Sequence, residues 1–91
     1  MYQVYFSKDY KKSIKKLVKN GKVKLLDVDV VIDLIANGKS LPIKYRDHKL
    51  HGEYDGYREC HTQGDLLLVY QIIKNELVLV LIDIGTHNDL F

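Results

Sequence analysis

From Tyr57 onward the chain carries three β-prone runs, about 57–62, 66–74 and 77–84, separated only by the short breaks Gln63-Gly64 and Asn75-Glu76. Breaks this short leave no room for crossover helices, so the three runs are expected as hairpin-linked antiparallel strands. Ahead of them the apolar period changes. Tyr10, Ile14, Leu17 and Val18 recur at i, i+4, i+7 and i+8, with Lys11, Lys12, Lys15, Lys16 and Lys19 mostly off that face. This predicts an amphipathic helix, with Ser7 as N-cap and Asn20-Gly21 as its stop. Residues 22–37 are β-branched, yet Leu25, Val28, Ile32 and Ile35 form a helical stripe that ends at Asn37-Gly38. A second helix is expected there, making an αα-hairpin. Tyr2–Phe6 reads as a first strand, and Lys39–Gly56, with the only proline, as loop. The expected order is β-α-α-β-β-β: an α+β fold, an antiparallel sheet with the αα-hairpin packed on one face. Ninety-one residues suit one domain, 1–91, and exclude α/β barrels and multidomain enzymes.

The short breaks also predict a register. With two-residue loops, Thr62 faces Asp65 and Lys74 faces Leu77. His61 then sits opposite Leu66, Asp83 sits opposite Leu68, and His87 falls beside Gly64. His61, Asp65 and His87 are thereby brought to one end of the sheet. Alternation assigns Cys60, Leu67, Val69, Val80, Ile82 and Ile84 to the helix-facing side. Tyr57, Glu59, His61, Tyr70 and Asp83 fall on the other, a candidate binding face. A bulge would shift a strand by one residue and change this assignment.

Charge is unevenly spread. Residues 1–49 hold 12 Lys+Arg against 5 Asp+Glu, and residues 50–91 hold 2 against 7. All four histidines follow position 47. A basic half is compatible with a polyanionic partner and equally with a lysine-rich helix that needs a solvated face. The single cysteine, Cys60, permits no intramolecular disulfide. The first residues do not read as a signal peptide, and no run approaches the roughly 18 apolar residues of a membrane helix. A soluble cytoplasmic protein is expected, with no membrane association.

Metal-free RNA cleavage needs a base for the 2′-hydroxyl, an acid for the leaving 5′-oxygen and a donor for the charge on phosphate. Histidine suits the first two roles near neutral pH. A carboxylate such as Asp65 can tune a neighbouring imidazole or act itself. The same residues, His48, His61, Asp65 and His87, have the nitrogen and oxygen donors of a zinc site, but no close pair such as HxxxH or CxxC supports it. No GxGxxG, GxxxxGK[ST] or GxSxG motif is present. Cys60, on the predicted core face, reads as packing.

Several motifs of the second half stand in a specific combined spacing. They are Tyr45-Arg46-Asp47-His48-Lys49-Leu50-His51-Gly52, Gly56-Tyr57-Arg58-Glu59-Cys60-His61, Asp65 with Leu67-Leu68-Val69-Tyr70, and Gly85-Thr86-His87-Asn88-Asp89-Leu90-Phe91. Together they resemble the YafQ branch of the RelE-type bacterial toxins, closely over 45–91 and in pattern before that. The resemblance implies a RelE-like α+β toxin of a type II toxin–antitoxin pair, acting as a ribosome-dependent mRNA endonuclease. It would cut the message in the ribosomal A site without metal or other cofactor and leave a 2′,3′-cyclic phosphate. A cognate antitoxin, expected to be a ribbon-helix-helix protein, would silence it, and operator DNA would be met only through that complex. The family's catalytic positions map onto His48, His61, Asp65, His87 and Phe91. By that mapping His87 is the general acid, and His61 with Asp65 the base or phosphate-orienting group. His48 positions phosphate or moves a proton, and Phe91 stacks on a base. Lys11, Lys15, Lys44, Arg46, Lys49 and Arg58 are the expected contacts to ribosomal or messenger RNA. Two positions depart from the family: Leu66 where a tryptophan is frequent, and Asp83 where an arginine would stabilise transition-state charge. Asp83 raises the alternative of a toxin-fold protein that binds antitoxin or ribosome without efficient cleavage.

Overall fold

A computed structural model of the chain describes residues 1–91. Five strands, β1 (Gln3–Phe6), β2 (His48–Lys49), β3 (Arg58–Gln63), β4 (Leu66–Ile73) and β5 (Val78–Gly85), form one sheet in the order β1-β5-β4-β3-β2. Two helices, α1 (Lys8–Lys19) and α2 (Leu25–Ala36), pack on one face, and a single-turn helix, α3 (His87–Leu90), follows β5. The α+β architecture is the expected one. The sheet is mixed rather than wholly antiparallel, because β1 runs parallel to β5, with Tyr5 beside Val80. The long connection through both helices returns the chain to the far edge of the meander, and a strand arriving that way can lie parallel.

Ser7 caps α1 as its sequence position suggests. Its hydroxyl accepts the Tyr10 N–H at 3.0 Å and donates to the Ile82 carbonyl at 2.6 Å, tying the helix start to β5. From α2, Val28, Val31, Ile32 and Ile35 are buried. They meet Cys60, Leu68, Tyr70, Leu79, Leu81 and Ile84 from the sheet. Leu25, placed on the α2 stripe, is instead half-exposed at the first helical position.

Two bulges alter the register. In β3, His61 pairs with Leu67 and Gln63 with Leu66, leaving Thr62 as the extra residue. In β5, Leu81 pairs with Tyr70 and Asp83 with Val69, leaving Ile82 over. The hairpin loops are Gly64-Asp65 and Lys74–Leu77. The β3–β4 loop falls one residue later than the expected Gln63-Gly64 and moves β3 two positions along β4; the Thr62 bulge returns one of them. The Ile82 bulge moves the end of β5 by one, so β4 presents Leu68 and Tyr70 to the helices and Leu67 and Val69 to the other face. Cys60 and Ile84 lie in the core as expected, whereas Leu67, Val69 and Val80 lie opposite it and Ile82 forms the bulge.

Candidate functional site

The sheet face turned away from α1 and α2 carries a cleft of about 270 Å³ lined by Glu59, His61, Asp65, Leu67, Thr86, His87 and Asn88. His61, Asp65 and His87 therefore share one cleft, each delivered by a different local device. His61 projects from β3 opposite Leu67, and Leu67 is opposite Gly85, so the row across three strands fixes His61 relative to the end of β5. Asp65 is supplied by the Gly64-Asp65 turn. His87 opens α3, and α3 exists because Thr86 and Asp89 form a capping box. The Thr86 hydroxyl accepts the Asp89 N–H at 3.3 Å, and the Asp89 carboxylate accepts the Thr86 N–H at 3.0 Å. These Thr86 donors hold the Asp89 carboxyl below its ordinary range, with a smaller contribution from Lys16. Gly85 is needed for the fold-back, since a Cβ there would stand 3.0 Å from the Asp89 Cβ.

Phe91 lies one helical turn beyond His87, and the two rings are 5.3 Å apart at 42°. Tyr54 meets Phe91 edge-on at 4.9 Å. The Thr86-x-x-Asp89 spacing is itself a capping signature, so α3, read from sequence only as a tail, was legible there. Tyr54 had no comparable signal, because it enters from the loop before β3.

His48 stands at the rim. It is paired across β2 and β3 with Glu59, its Nε2 lies 3.6 Å from the Glu59 Oε1, and its Nδ1 is 2.7 Å from the Arg46 carbonyl. This short strand falls inside the stretch read as loop. Its position is set by Asp47. The Asp47 carboxylate accepts two hydrogen bonds from Arg58, at 2.8 and 3.3 Å, and one from the buried Tyr70 hydroxyl. The pairing raises the Arg58 guanidinium pKa further, and burial, then Asp47, pushes the Tyr70 phenol up.

The basic residues expected to meet RNA divide by location. Lys44 and Arg46 line a second cleft of about 690 Å³, whose wall includes His61 and Asp65. It thus adjoins the first. Arg58 and Lys49 pair with each other across the sheet and fall on the opposite face from His48 and Glu59. Arg58 is paired with Asp47, 2.8 Å between Nη2 and Oδ2. Lys11 and Lys15 are exposed on α1, which packs on the helix side of the sheet, away from the cleft.

Asp83 is not among the residues lining the histidine cleft. Its carboxylate accepts the Ile84 N–H at 2.8 Å, and Asp83 lines a hollow with Ser13, Lys16 and Lys22 that adjoins the histidine cleft through Asp65 and Thr86. Cys60 is fully buried, and burial pushes its thiol up to about 12, which leaves no thiolate nucleophile at neutral pH. No group of three or more His, Cys, Asp or Glu side chains is gathered closely enough in this structure to hold a metal ion as it stands. No helix is long and apolar enough to cross a membrane.

Comparison with known proteins converges on one family and the same fold. The family model described as "Bacterial toxin of type II toxin-antitoxin system, YafQ" matches residues 2–91. The mRNA interferase toxin YafQ of Escherichia coli K12 is 36% identical over 90 residues, covering 99% of this chain and 91% of that protein. A metal-bound toxin from Helicobacter pylori superposes with a TM-score of 0.93 at 44% identity, each chain covered in full. YafQ in the E. coli DinJ–YafQ complex superposes with a TM-score of 0.87 at 28% identity, over 100% of this chain and 99% of that one. With the family model matched over residues 2–91, a relative 36% identical along 99% of the chain and the fold shared, the chain belongs to the YafQ family of bacterial toxins of type II toxin–antitoxin systems.

Proposed function

We propose that this chain is an mRNA interferase that cuts message on the translating ribosome, in the A site, by transesterification at its own side chains. The observation that carries the reading is the shared cleft of His61, Asp65 and His87, with Phe91 set against the His87 ring and an adjoining cleft lined by Lys44 and Arg46. In the reaction the 2′-oxygen attacks phosphorus, the 5′-oxygen leaves, and a 2′,3′-cyclic phosphate remains. His61 with Asp65 takes or orients the proton of the 2′-hydroxyl, and His87 protonates the leaving oxygen. His48, at the rim, positions the phosphate or relays a proton. Phe91 offers a ring face to a base. Lys44 and Arg46 supply the positive charge that draws in the strand.

The E. coli relative is named an mRNA interferase and is found with the antitoxin DinJ, which supports both the activity and a cognate protein antitoxin for this chain. We extend that to a ribbon-helix-helix antitoxin, contact with operator DNA only through the complex, and a cytoplasmic location. The second reading, a toxin-fold protein with weakened cleavage, draws its support from Asp83. That support is reduced by the Asp83 carboxylate accepting the Ile84 N–H and by Asp83 not lining the histidine cleft itself.

The test is induced expression in bacteria with mapping of mRNA ends on ribosomes. Growth arrest and cuts within the A-site codon are expected from wild type, with both relieved by His87→Ala and by His61→Ala. Growth and message left intact by a folded wild-type chain would remove the reading.

A further inference from the structure

We propose that Glu59 is a positioning residue for the reaction proposed above, holding the His48 ring in one orientation at the rim of the cleft together with the Arg46 carbonyl. The inference rests on that functional reading for its catalytic consequence, and on geometry alone for the clamp. Glu59 is a carboxylate with a side chain only 9% exposed, on a strand in the middle of the candidate site. A charge so buried is costly unless it is paired. The only cation-forming group within ion-pair distance is the His48 Nε2 at 3.6 Å. The other ring nitrogen, Nδ1, faces the Arg46 carbonyl at 2.7 Å. A carbonyl only accepts, so Nδ1 carries a proton, and Nε2 is the atom free to exchange one. An imidazole hydrogen-bonded at Nδ1 and set against a carboxylate at Nε2 is biased toward one ring orientation.

The surrounding backbone is built to hold this arrangement. Arg46 takes a left-handed conformation, φ +50°, which aims its carbonyl back at the His48 ring. Asp47, between the two, is locked by Arg58 and Tyr70. Glu59 pairs directly across from His48 and also lines the cleft with His61 and His87. The carboxylate thus connects the exposed rim histidine to the floor on which the other groups stand, which is the role of an orienting acid behind a histidine.

The test uses the full chain with Glu59→Leu, which keeps the site filled and removes the pairing, and Glu59→Ala as a second variant should the first not fold. Two readouts are needed. In 1H–15N spectra the wild-type His48 Nδ1–H is expected as a distinct resonance slowed in exchange with water, and it is expected to vanish in either variant as the ring swings free. In cleavage assays kcat is expected to fall roughly tenfold, with KM within about twofold. In a His48→Ala background the Glu59 change is expected to have no further effect. A Nδ1–H resonance unchanged without Glu59, or an equal loss of rate with and without His48, would overturn the proposal. If wild type cuts no RNA, the functional reading falls, while the resonance alone still decides whether Glu59 holds His48.

Discussion

The imidazole of His87, which opens α3, and the ring of Phe91, just past its end, lie 5.3 Å apart between centres and tilted by 42°. A four-residue helix has little stability of its own. What fixes His87 is therefore the capping box below it and the aromatic pair beside it, with Tyr54 closing on the far side of Phe91.

Replacing Phe91 by alanine should release the His87 ring without unfolding the domain. Phe91 is 41% exposed and outside the core cluster, so unfolding free energy should change by less than about 1 kcal/mol. The cleavage rate should fall roughly tenfold, because a misplaced acid loses its alignment with the leaving oxygen. Single-turnover cleavage beside urea denaturation measures both. Equal losses in the two would mean that Phe91 serves packing alone.

Much of this site was legible in sequence because of a cancellation. The even spacing of the strand runs put His61 and Gly85 opposite the same residue of β4. The later β3–β4 loop combined with the Thr62 bulge on one side, and the Ile82 bulge on the other, leave each flanking strand a net one residue along β4 in the same direction. His61 and Gly85 still share a partner, now Leu67 instead of Leu66, so the meeting of His61, Asp65 and His87 survived. The faces of β4 did not, and Tyr70 went from the expected binding face to the core. Bulges arise from tertiary fit, here around the Ser7–Ile82 tie and the buried Thr62, and a period-two pattern carries no mark of them. The helices were legible for the opposite reason: their caps and stripes are local. Nothing local marks β2, which is stabilised by Asp47 reaching Arg58 and Tyr70, residues 11 and 23 positions away.

Asp47→Ala should be the most destabilising polar substitution near the site. It leaves a partly buried guanidinium and a buried phenol without their acceptor. The expected cost is about 1–3 kcal/mol by urea denaturation, with Asp47→Asn costing less because one acceptor oxygen remains. Loss of this pairing should also free β2, so the amides of His48 and Lys49 should exchange faster than those of β4. A variant as stable as wild type would show that Arg58 and Tyr70 find other partners.

Acid should loosen α3 locally. The Asp89 carboxyl is held below its usual value of 3.8 by the Thr86 N–H and hydroxyl and by Lys16. A group whose pKa is lower folded than unfolded stabilises the fold above its unfolded value, and that contribution disappears as pH falls through the folded value. The capping box should therefore be intact at neutral pH and fray below pH 3.8, with the His87 and Phe91 signals shifting there before the core strands unfold. Proton NMR from pH 6 to 2 follows it. Thr86→Ala, which removes one donor, should raise the pH at which fraying begins. Fraying at an unchanged pH in that variant would assign it to another group.

Asp83 allows the most direct choice between an active toxin and a weakened one. By register it shares the sheet face of His61 and Leu67, but its carboxylate is turned to the Ile84 N–H and to the hollow shared with Lys16 and Lys22. Salt screens its charge beyond about 8 Å at physiological ionic strength. Asp83→Asn keeps an oxygen for the Ile84 N–H and removes only the charge, so cleavage should stay within about twofold of wild type. Asp83→Arg adds a guanidinium with the reach to enter the cleft, and a rise in rate there would reflect a new contact. A tenfold rise in Asp83→Asn itself could come only from relief of repulsion. It would place the native carboxylate against the phosphate and favour the weakened toxin.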